Sequence, residues 1–307
     1  MMIDQVAFTS KYFDLYKVNG HSYAAISNTP DNISNAGFVD LGDRVVVYDT
    51  FLSVEAAKDM RRAIEEIAKA KDTVIVLSHW HSDHYLGNCA FPKQTLILSS
   101  IAADRKIRET MPALQDREEL LKELHELEME LEKTTDDKEI LQIKNALKFN
   151  RNFTHPELEL RYPNCTFEGV IKLTGKKAEL DLRSIDMAHS AGDVVGFVEK
   201  DRVLYAGDLV FSDNHPYLGA GDPLKLKEEL KKMLEMDVEY IIPGHGKICG
   251  KEEVQNKIEY IDALMELVKE NLNSDRELTT QDLPEKFHHY SSPSFQWNVN
   301  FLRESLL

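Results

Sequence analysis

The sequence has few cysteines, fewer positive than negative charges, and no long apolar run. Three cysteines in 307 residues, far apart and odd in number, exclude a disulfide framework and favour the reducing cytoplasm. Lysine and arginine number 37 against 53 aspartate and glutamate residues, so the formal net charge is −16. A field of that sign repels nucleic-acid phosphates and anionic membranes. We therefore expect no nucleic-acid partner and no membrane partner.

The apolar runs are strand-sized, as in Val74 to Leu77, and predict no transmembrane helix. Residues 1–20 mix charged and aromatic side chains and lack the apolar stretch of a secretory signal, which also favours the cytoplasm. With 42% hydrophobic residues, the chain has enough apolar material for the core of one domain over residues 1–307.

Strand-like and helix-like segments alternate along the chain. Short apolar stretches between turn residues predict strands over residues 12–18, 22–27, 36–41, 44–48, 73–79, 165–175, 177–187, 194–200, 202–211 and 238–246. Apolar residues at helical spacing predict amphipathic helices over residues 53–70, 224–236 and 251–272. This order predicts a layered α/β domain.

Residues 103–150 are predicted to form an inserted acidic helical hairpin. Its apolar residues repeat at heptad spacing on both sides of a turn at Thr134–Asp137, and they are Leu120, Leu124, Leu127, Leu131, Ile140, Ile143 and Leu147. Between Gln115 and Glu139 eleven acids face four bases, a balance of −7. A solvated face is the simpler interpretation, and a partner-binding face, such as a homodimer contact, is the alternative. We expect the hairpin beside the mouth of the functional site.

An aromatic tail over residues 283–307 closes the chain, and its aromatic residues are Phe287, Tyr290, Phe295, Trp297 and Phe301. The tail is predicted to be irregular in structure. Core packing is favoured over a lid.

The segment HWHSDH, residues 79–84, ends the predicted strand 73–79 with three imidazoles and a carboxylate. Such groups need partners at the end of a buried strand, and both are zinc ligands. Because alternate residues of an extended segment share a face, His79 and His81 can meet one ion. Asp83 and His84 can turn toward a second ion.

Three more candidate ligands stand at the ends of later predicted strands, beside glycine or alanine, and they are His189, Asp208 and His245. Small neighbours let the backbone bring a ligand close to an ion. Together with the HWHSDH segment these residues predict a two-metal centre.

With these residues the chain resembles the metallo-β-lactamase superfamily of metallohydrolases over residues 10–100 and 160–270. The resemblance implies a four-layer αβ/βα sandwich with the site at one edge, between the two sheets. It also implies seven metal ligands: a first set of His79, His81 and His189, a second set of Asp83, His84 and His245, and the bridging carboxylate Asp208. Asp49 matches an aspartate that orients a ligand.

The resemblance further implies two Zn²⁺ per chain and a hydrolytic reaction. Diiron redox members carry a glutamate where this chain has His81, and imidazole favours zinc. The full ligand set is that of the glyoxalase-II-like and lactonase-like branch. We therefore expect a hydroxide that bridges the metals to attack a small-molecule ester, thioester or lactone. The alternatives are an iron-dependent redox or sulfur-oxidising member, weak β-lactam hydrolysis, and a helical interaction scaffold with a vestigial metal site.

Four residues are the predicted catalytic set. Asp83 is expected to orient the nucleophile or to accept its proton, and Asp208 to bridge the metals. His215 and Tyr217 follow Asp208 in a loop that we expect to overhang the site, where either side chain can donate to an oxyanion. A polar loop with no catalytic role is an equal alternative for these two residues.

Overall fold

Two β-sheets packed face to face form the centre of the molecule, and helices cover the outer face of each sheet. The computed structural model describes residues 3–29, 34–69, 72–274 and 276–306. The four-layer αβ/βα sandwich predicted from the sequence is confirmed.

The first sheet has eight strands that pair in sequence order. Its first four pairs are antiparallel and its last three are parallel. The strands are β1 (Asp4–Gln5), β2 (Phe13–Asn19), β3 (Ser22–Ser27), β4 (Ala36–Asp40), β5 (Arg44–Tyr48), β6 (Asp72–Val76), β7 (Leu96–Ser100) and β8 (Cys165–Phe167).

The second sheet has five strands, and its edge strands are the first and the last in sequence. Neighbouring strands are antiparallel except for the final, parallel pair. The strands are β9 (Val170–Thr174), β10 (Glu179–Met187), β11 (Ala191–Val198), β12 (Val203–Phe211) and β13 (Tyr240–His245).

Eight α-helices accompany the sheets in the described residues: α1 (Val54–Ile67), α2 (Ser82–Tyr85), α3 (Ile101–Thr110), α4 (Arg117–Lys133), α5 (Asp137–Arg151), α6 (Pro223–Glu235), α7 (Lys251–Glu270) and α8 (Ser294–Leu306). The side chain of Ser53 caps α1 by accepting from the backbone of Ala56 at 3.3 Å. Among the residues described, none of the helices combines the length and the apolar character needed to cross a bilayer.

Strand β5 shows why the sheets stack in this order. Val45, Val46 and Val47 are all fully buried. Val46 packs toward the second sheet, whereas Val45 and Val47 pack toward α1. A strand covered on both faces is apolar throughout, and each buried valine stabilises the fold by about 1.5–3 kcal/mol relative to an exposed one.

The structure corrects two segments of the prediction. Residues 165–175 form two strands, because the chain turns at Gly169, where φ is 75°, and crosses from the first sheet to the second. The tail is not irregular throughout, since α8 occupies most of its second half. Phe295, Val299 and Leu302 repeat at helical spacing and are buried, so the periodicity was present but masked by the aromatic composition.

The predicted insertion comprises three helices. Residues 101–110 form α3, whose Ala103 and Ile107 are buried against the main domain. The hairpin itself consists of α4 and α5, which turn at residues 134–136. Its own apolar core contains Leu124, Ile143 and Leu147.

The base of the hairpin packs on the main domain. Leu120 and Phe149 contact a small cluster that contains Leu52 and Leu86. Leu52 follows the end of β5, and Leu86 follows α2. The hairpin therefore stands next to the segments that carry Asp49 and the HWHSDH motif.

Candidate metal centre

The first group of site residues comes from three parts of the chain. His79 and His81 follow β6, His189 lies in the turn between β10 and β11, and Asp208 lies in β12. Nε2 of His79 is 2.8 Å from Nδ1 of His81, which is 3.2 Å from Nε2 of His189. Oδ2 of Asp208 is 3.7 Å from His79 Nε2 and 3.5 Å from His189 Nε2. Four potential ligand atoms thus lie within 4.8 Å of one another.

The second group contains Asp83 and His84 from α2 and His245 from the end of β13. Oδ2 of Asp83 is 3.4 Å from Nε2 of His84 and 3.4 Å from Nε2 of His245. Oδ1 of Asp208 is 3.2 Å and 3.3 Å from the same two nitrogens. Asp208 therefore turns one oxygen toward each group.

The spacing of these atoms fits metal ions. A tetrahedral ion with bonds of about 2.0–2.1 Å separates its ligand atoms by about 3.3 Å, and the contacts above lie between 2.8 and 3.7 Å. Nε2 of His84 and Oδ1 of Asp208 are buried and make no hydrogen bond. Leaving such a group unsatisfied costs about 1–3 kcal/mol, and a cation between them would satisfy both. A set of imidazoles and carboxylates without a thiol suits divalent first-row metals, zinc among them.

The burial of the site sets its protonation. Burial lowers the pKa of His79 well below its usual value and lowers the pKa of His189 to about 3. Burial alone would raise the pKa of Asp208, but the imidazoles of His245 and His84 hold it well below its usual range. Burial alone would lower the pKa of His84 and of His245, but the carboxylate of Asp208 raises both. A divalent ion would displace these protons as it binds.

Three groups outside the ligand set fix the orientation of the imidazoles. The Ser78 hydroxyl is 2.8 Å from Nδ1 of His79, and the Asp49 carboxylate is 2.8 Å from Nδ1 of His84. The backbone carbonyl of Tyr217 is 3.1 Å from Nδ1 of His189. In each ring Nδ1 is engaged, which leaves Nε2 for the centre of the site.

Sequence reasoning anticipated Asp49 but missed Ser78 and the Tyr217 carbonyl. Ser78 directly precedes His79, so a hydroxyl next to a candidate ligand was the available signal. A backbone carbonyl leaves no such signal, because every residue has one.

Close backbone packing brings the ligands together. A Cβ atom on Gly244 would lie 1.9 Å from Oδ1 of Asp208, so β13 passes directly beside this carboxylate. A Cβ atom on Gly221 would lie 2.1 Å from the carbonyl of Ala188, which places the loop after β12 against the turn that carries His189. Both approaches need glycine.

The structure brings the seven predicted ligands together. Of the other two predicted catalytic residues, one lines the site and the other does not. The Tyr217 ring centroid is 5.9 Å from that of His81, so this residue lines the site. His215 is buried elsewhere, with Nδ1 2.9 Å from the hydroxyl of Tyr260 and its ring beside Phe295. The proposed oxyanion role of both residues stays a prediction, and the contacts of His215 do not support it.

The sequence profile of the metallo-beta-lactamase superfamily matches residues 29–245, which is more than half of the chain. The chain belongs to this superfamily. No protein with a curated description matches the sequence.

Solved structures share the metallo-β-lactamase fold. A metallo-beta-lactamase from Pontibacter korlensis aligns with a TM-score of 0.55 and 14% identity over 85% of this chain and 99% of that chain. The stereoselective inverting sec-alkylsulfatase Pisa1 from Pseudomonas sp. aligns with a TM-score of 0.64 and 13% identity over 95% of this chain and 50% of that chain. A double mutant of the sec-alkyl sulfatase PisA1 gives 0.66 and 14% over the same shares, 95% and 50%. This chain therefore spans about half the length of the sulfatases, and at these identities the likeness concerns the fold alone.

Proposed function

We propose that this metallo-β-lactamase superfamily member is a binuclear zinc-dependent hydrolase that acts on a small-molecule ester, thioester or lactone. The observation that carries the proposal is the position of Asp208, which directs one carboxylate oxygen to each of two ligand groups. Paired metal sites of this kind serve hydrolysis.

The residues of the chain would hold the centre and orient the reactants. Two bound zinc ions would supply water activated near neutral pH and a Lewis acid for the scissile carbonyl. Asp83, whose Oδ2 is 3.4 Å from an imidazole nitrogen of both His84 and His245, would orient the nucleophile and hold its proton. The burial of His79 and Asp208 keeps bulk water away and strengthens the electrostatic interactions inside the site.

The ligand set and the charge of the protein support the proposed substrate class. The full set of seven residues, with Asp208 as the bridge, is the set expected for thioester and lactone hydrolases. The net charge of −16 disfavours polyanionic substrates such as RNA. A small-molecule substrate, a cytoplasmic location and the absence of nucleic-acid and membrane partners stay predictions from composition.

The test is a substrate panel with the zinc-loaded protein. Esters, thioesters and lactones cover the proposed class, and β-lactams and a secondary alkyl sulfate cover the activities named in the related structures. Phosphodiesters test a polyanionic class. Removing a residue that only orients a metal ligand typically lowers metal affinity or activity by about 10–100-fold. Because His79 is itself a predicted ligand, His79→Ala is expected to lower activity by about a hundredfold or more. His125→Ala, an exposed histidine on α4, is the matched control and should leave activity unchanged.

Two results contradict the proposal. One is hydrolysis of no ester, thioester or lactone by a protein that holds two zinc ions. The other is iron with little zinc in protein purified without added metal, which favours the redox alternative. The homodimer contact of the hairpin stays a separate prediction, and light scattering of the purified protein measures it.

A further inference from the structure

Helix α8 holds the loop that follows β12. Asn298 is fully buried on α8, and its Nδ2 donates to the carbonyl of Pro216 at 2.6 Å. Its Oδ1 accepts from the backbone N–H of Leu218 at 2.8 Å. One amide side chain thus fixes the backbone on both sides of Tyr217. Because these bonds are buried, breaking either one leaves a polar group unsatisfied, which keeps the loop in place.

Tyr217 connects this loop to the metal centre. Its carbonyl engages Nδ1 of His189 at 3.1 Å, and its ring centroid is 5.9 Å from that of His81. A Cβ atom on Gly219 would lie 2.8 Å from the Tyr217 hydroxyl, so the phenol lies close over the loop backbone. The ring is therefore held at the ligand side of the loop.

Trp297 extends this aromatic surface outward. It precedes Asn298 on α8, and its ring meets the Tyr217 ring edge to face, with centroids 6.0 Å apart. Trp297 is 54% exposed, whereas Phe287, Tyr290 and Phe295 of the same tail are buried. An exposed aromatic side chain that continues the lining of a site offers an apolar surface to a ligand.

We propose that Tyr217 and Trp297 form an aromatic wall beside the metal centre that binds the apolar acyl group of the substrate. The inference rests on the proposed function, because an ester whose carbonyl lies at the metals must direct its acyl chain along the neighbouring surface. The ring contacts run without interruption from His81 through Tyr217 to Trp297. The wall therefore favours longer acyl chains over acetyl.

Binding of the carboxylate products tests the wall without requiring turnover. Hexanoate and acetate share the carboxylate that would meet the metals and differ only in their methylenes. Each methylene buried against an aromatic surface contributes roughly fourfold in affinity. Removing the outer ring, which we expect to contact about two methylenes, is therefore expected to weaken hexanoate binding by roughly 16-fold.

The two tryptophans report on the two ends of the site. The Trp80 ring centroid is 4.5 Å from that of His81, and Trp297 stands at the outer end of the wall. In zinc-loaded protein labelled with ¹⁵N at tryptophan, acetate is expected to shift only the Trp80 indole signal. Hexanoate is expected to shift both signals. Trp297→Phe assigns them.

Calorimetry with three variants gives the affinities. Trp297→Ala is expected to weaken hexanoate binding about 16-fold and to leave acetate binding unchanged. Tyr217→Phe keeps the ring and should bind hexanoate within about twofold of the parent protein. Gln296→Ala is the matched control, because Gln296 is exposed on the same helix and its amide donates to Asn300 on that helix.

Three results overturn the wall: equal binding of acetate and hexanoate, equal loss of both in Trp297→Ala, and no carboxylate binding at all. The two proposals fail separately. If the protein hydrolyses nothing in the panel but binds hexanoate more tightly than acetate, the proposed function is wrong and the aromatic wall stands. If the protein is a metal-dependent esterase that binds acetate and hexanoate equally, the aromatic wall is wrong and the proposed function stands.

Discussion

Asp49→Asn tests how the second group of ligands is oriented. The Asp49 carboxylate is buried, and its Oδ1 accepts from the backbone N–H of Ser78 at 2.7 Å. Its Oδ2 is 2.8 Å from Nδ1 of His84. Because a carboxylate only accepts, Nδ1 of His84 carries a proton, which leaves Nε2 as the atom that a metal ion would bind.

The expected size of the effect follows from this geometry. Asparagine has nearly the same volume, but one of its terminal atoms is a donor. When its oxygen keeps the bond to Ser78, its NH₂ group faces His84 and favours the tautomer whose proton sits on Nε2. Zinc affinity at the second group is expected to fall by about 10–100-fold, or about 1.4–2.7 kcal/mol. The first group, oriented by Ser78 and Tyr217, should stay within about threefold.

Zinc titration against a chromophoric chelator measures the two affinities separately. Asp201→Asn is the matched control, because this carboxylate is also buried and accepts from Ser22 Oγ at 2.8 Å, but it lies at the opposite end of β11 from His189. It should leave both zinc affinities unchanged. Equal weakening at both sites in Asp49→Asn, or no change at either, would refute the tautomer argument, provided that unfolding of the metal-free variant shows a folded protein.

Four further predictions follow from the site and its surroundings. Asp208→Ala is expected to lower the zinc content from about two ions per chain to less than one, measured by elemental analysis after reconstitution. The pH profile of kcat should rise through a value near 7, and a flat single-turnover profile would contradict the metal-activated nucleophile. Burial, helped by Lys257, lowers the pKa of His215 to about 4. Since the unfolded chain takes up this proton near pH 6.5, stability falls as pH drops from about 6.5 toward 4, and His215→Phe should flatten that part of the metal-free unfolding profile. Replacing residues 117–151 by a short Gly-Ser linker should preserve zinc binding and change substrate preference or oligomeric state, whereas a folded deletion protein without zinc would show that the hairpin supports the centre.

The ligand set could be predicted because the types of its residues and their positions along the sequence indicate metal binding. Three imidazoles after a buried strand need partners, and His189 and His245 near strand ends and Asp208 within β12 supply matching donors. Strand and helix periodicities located most of the sandwich for the same reason, since burial on one face leaves a regular apolar pattern.

The missed features depend on contacts between distant segments. The Tyr217 carbonyl and the Asn298 amide act through the backbone of a loop, and no residue pattern signals which backbone group they meet. The position of His215 shows the same limit, because its closeness to Asp208 in sequence suggested the site, whereas tertiary packing directs its ring to Tyr260. Sequence order alone could not place α8 beside that loop.

The central claim is that Asp208 bridges two metal ions, and anomalous scattering at the zinc edge from crystals of the zinc-loaded protein tests it most directly. We expect two peaks about 3.5–4 Å apart, one near each oxygen of Asp208. The first peak should lie among His79, His81 and His189, and the second among Asp83, His84 and His245. A single peak at full zinc loading, or peaks away from these residues, would contradict the account.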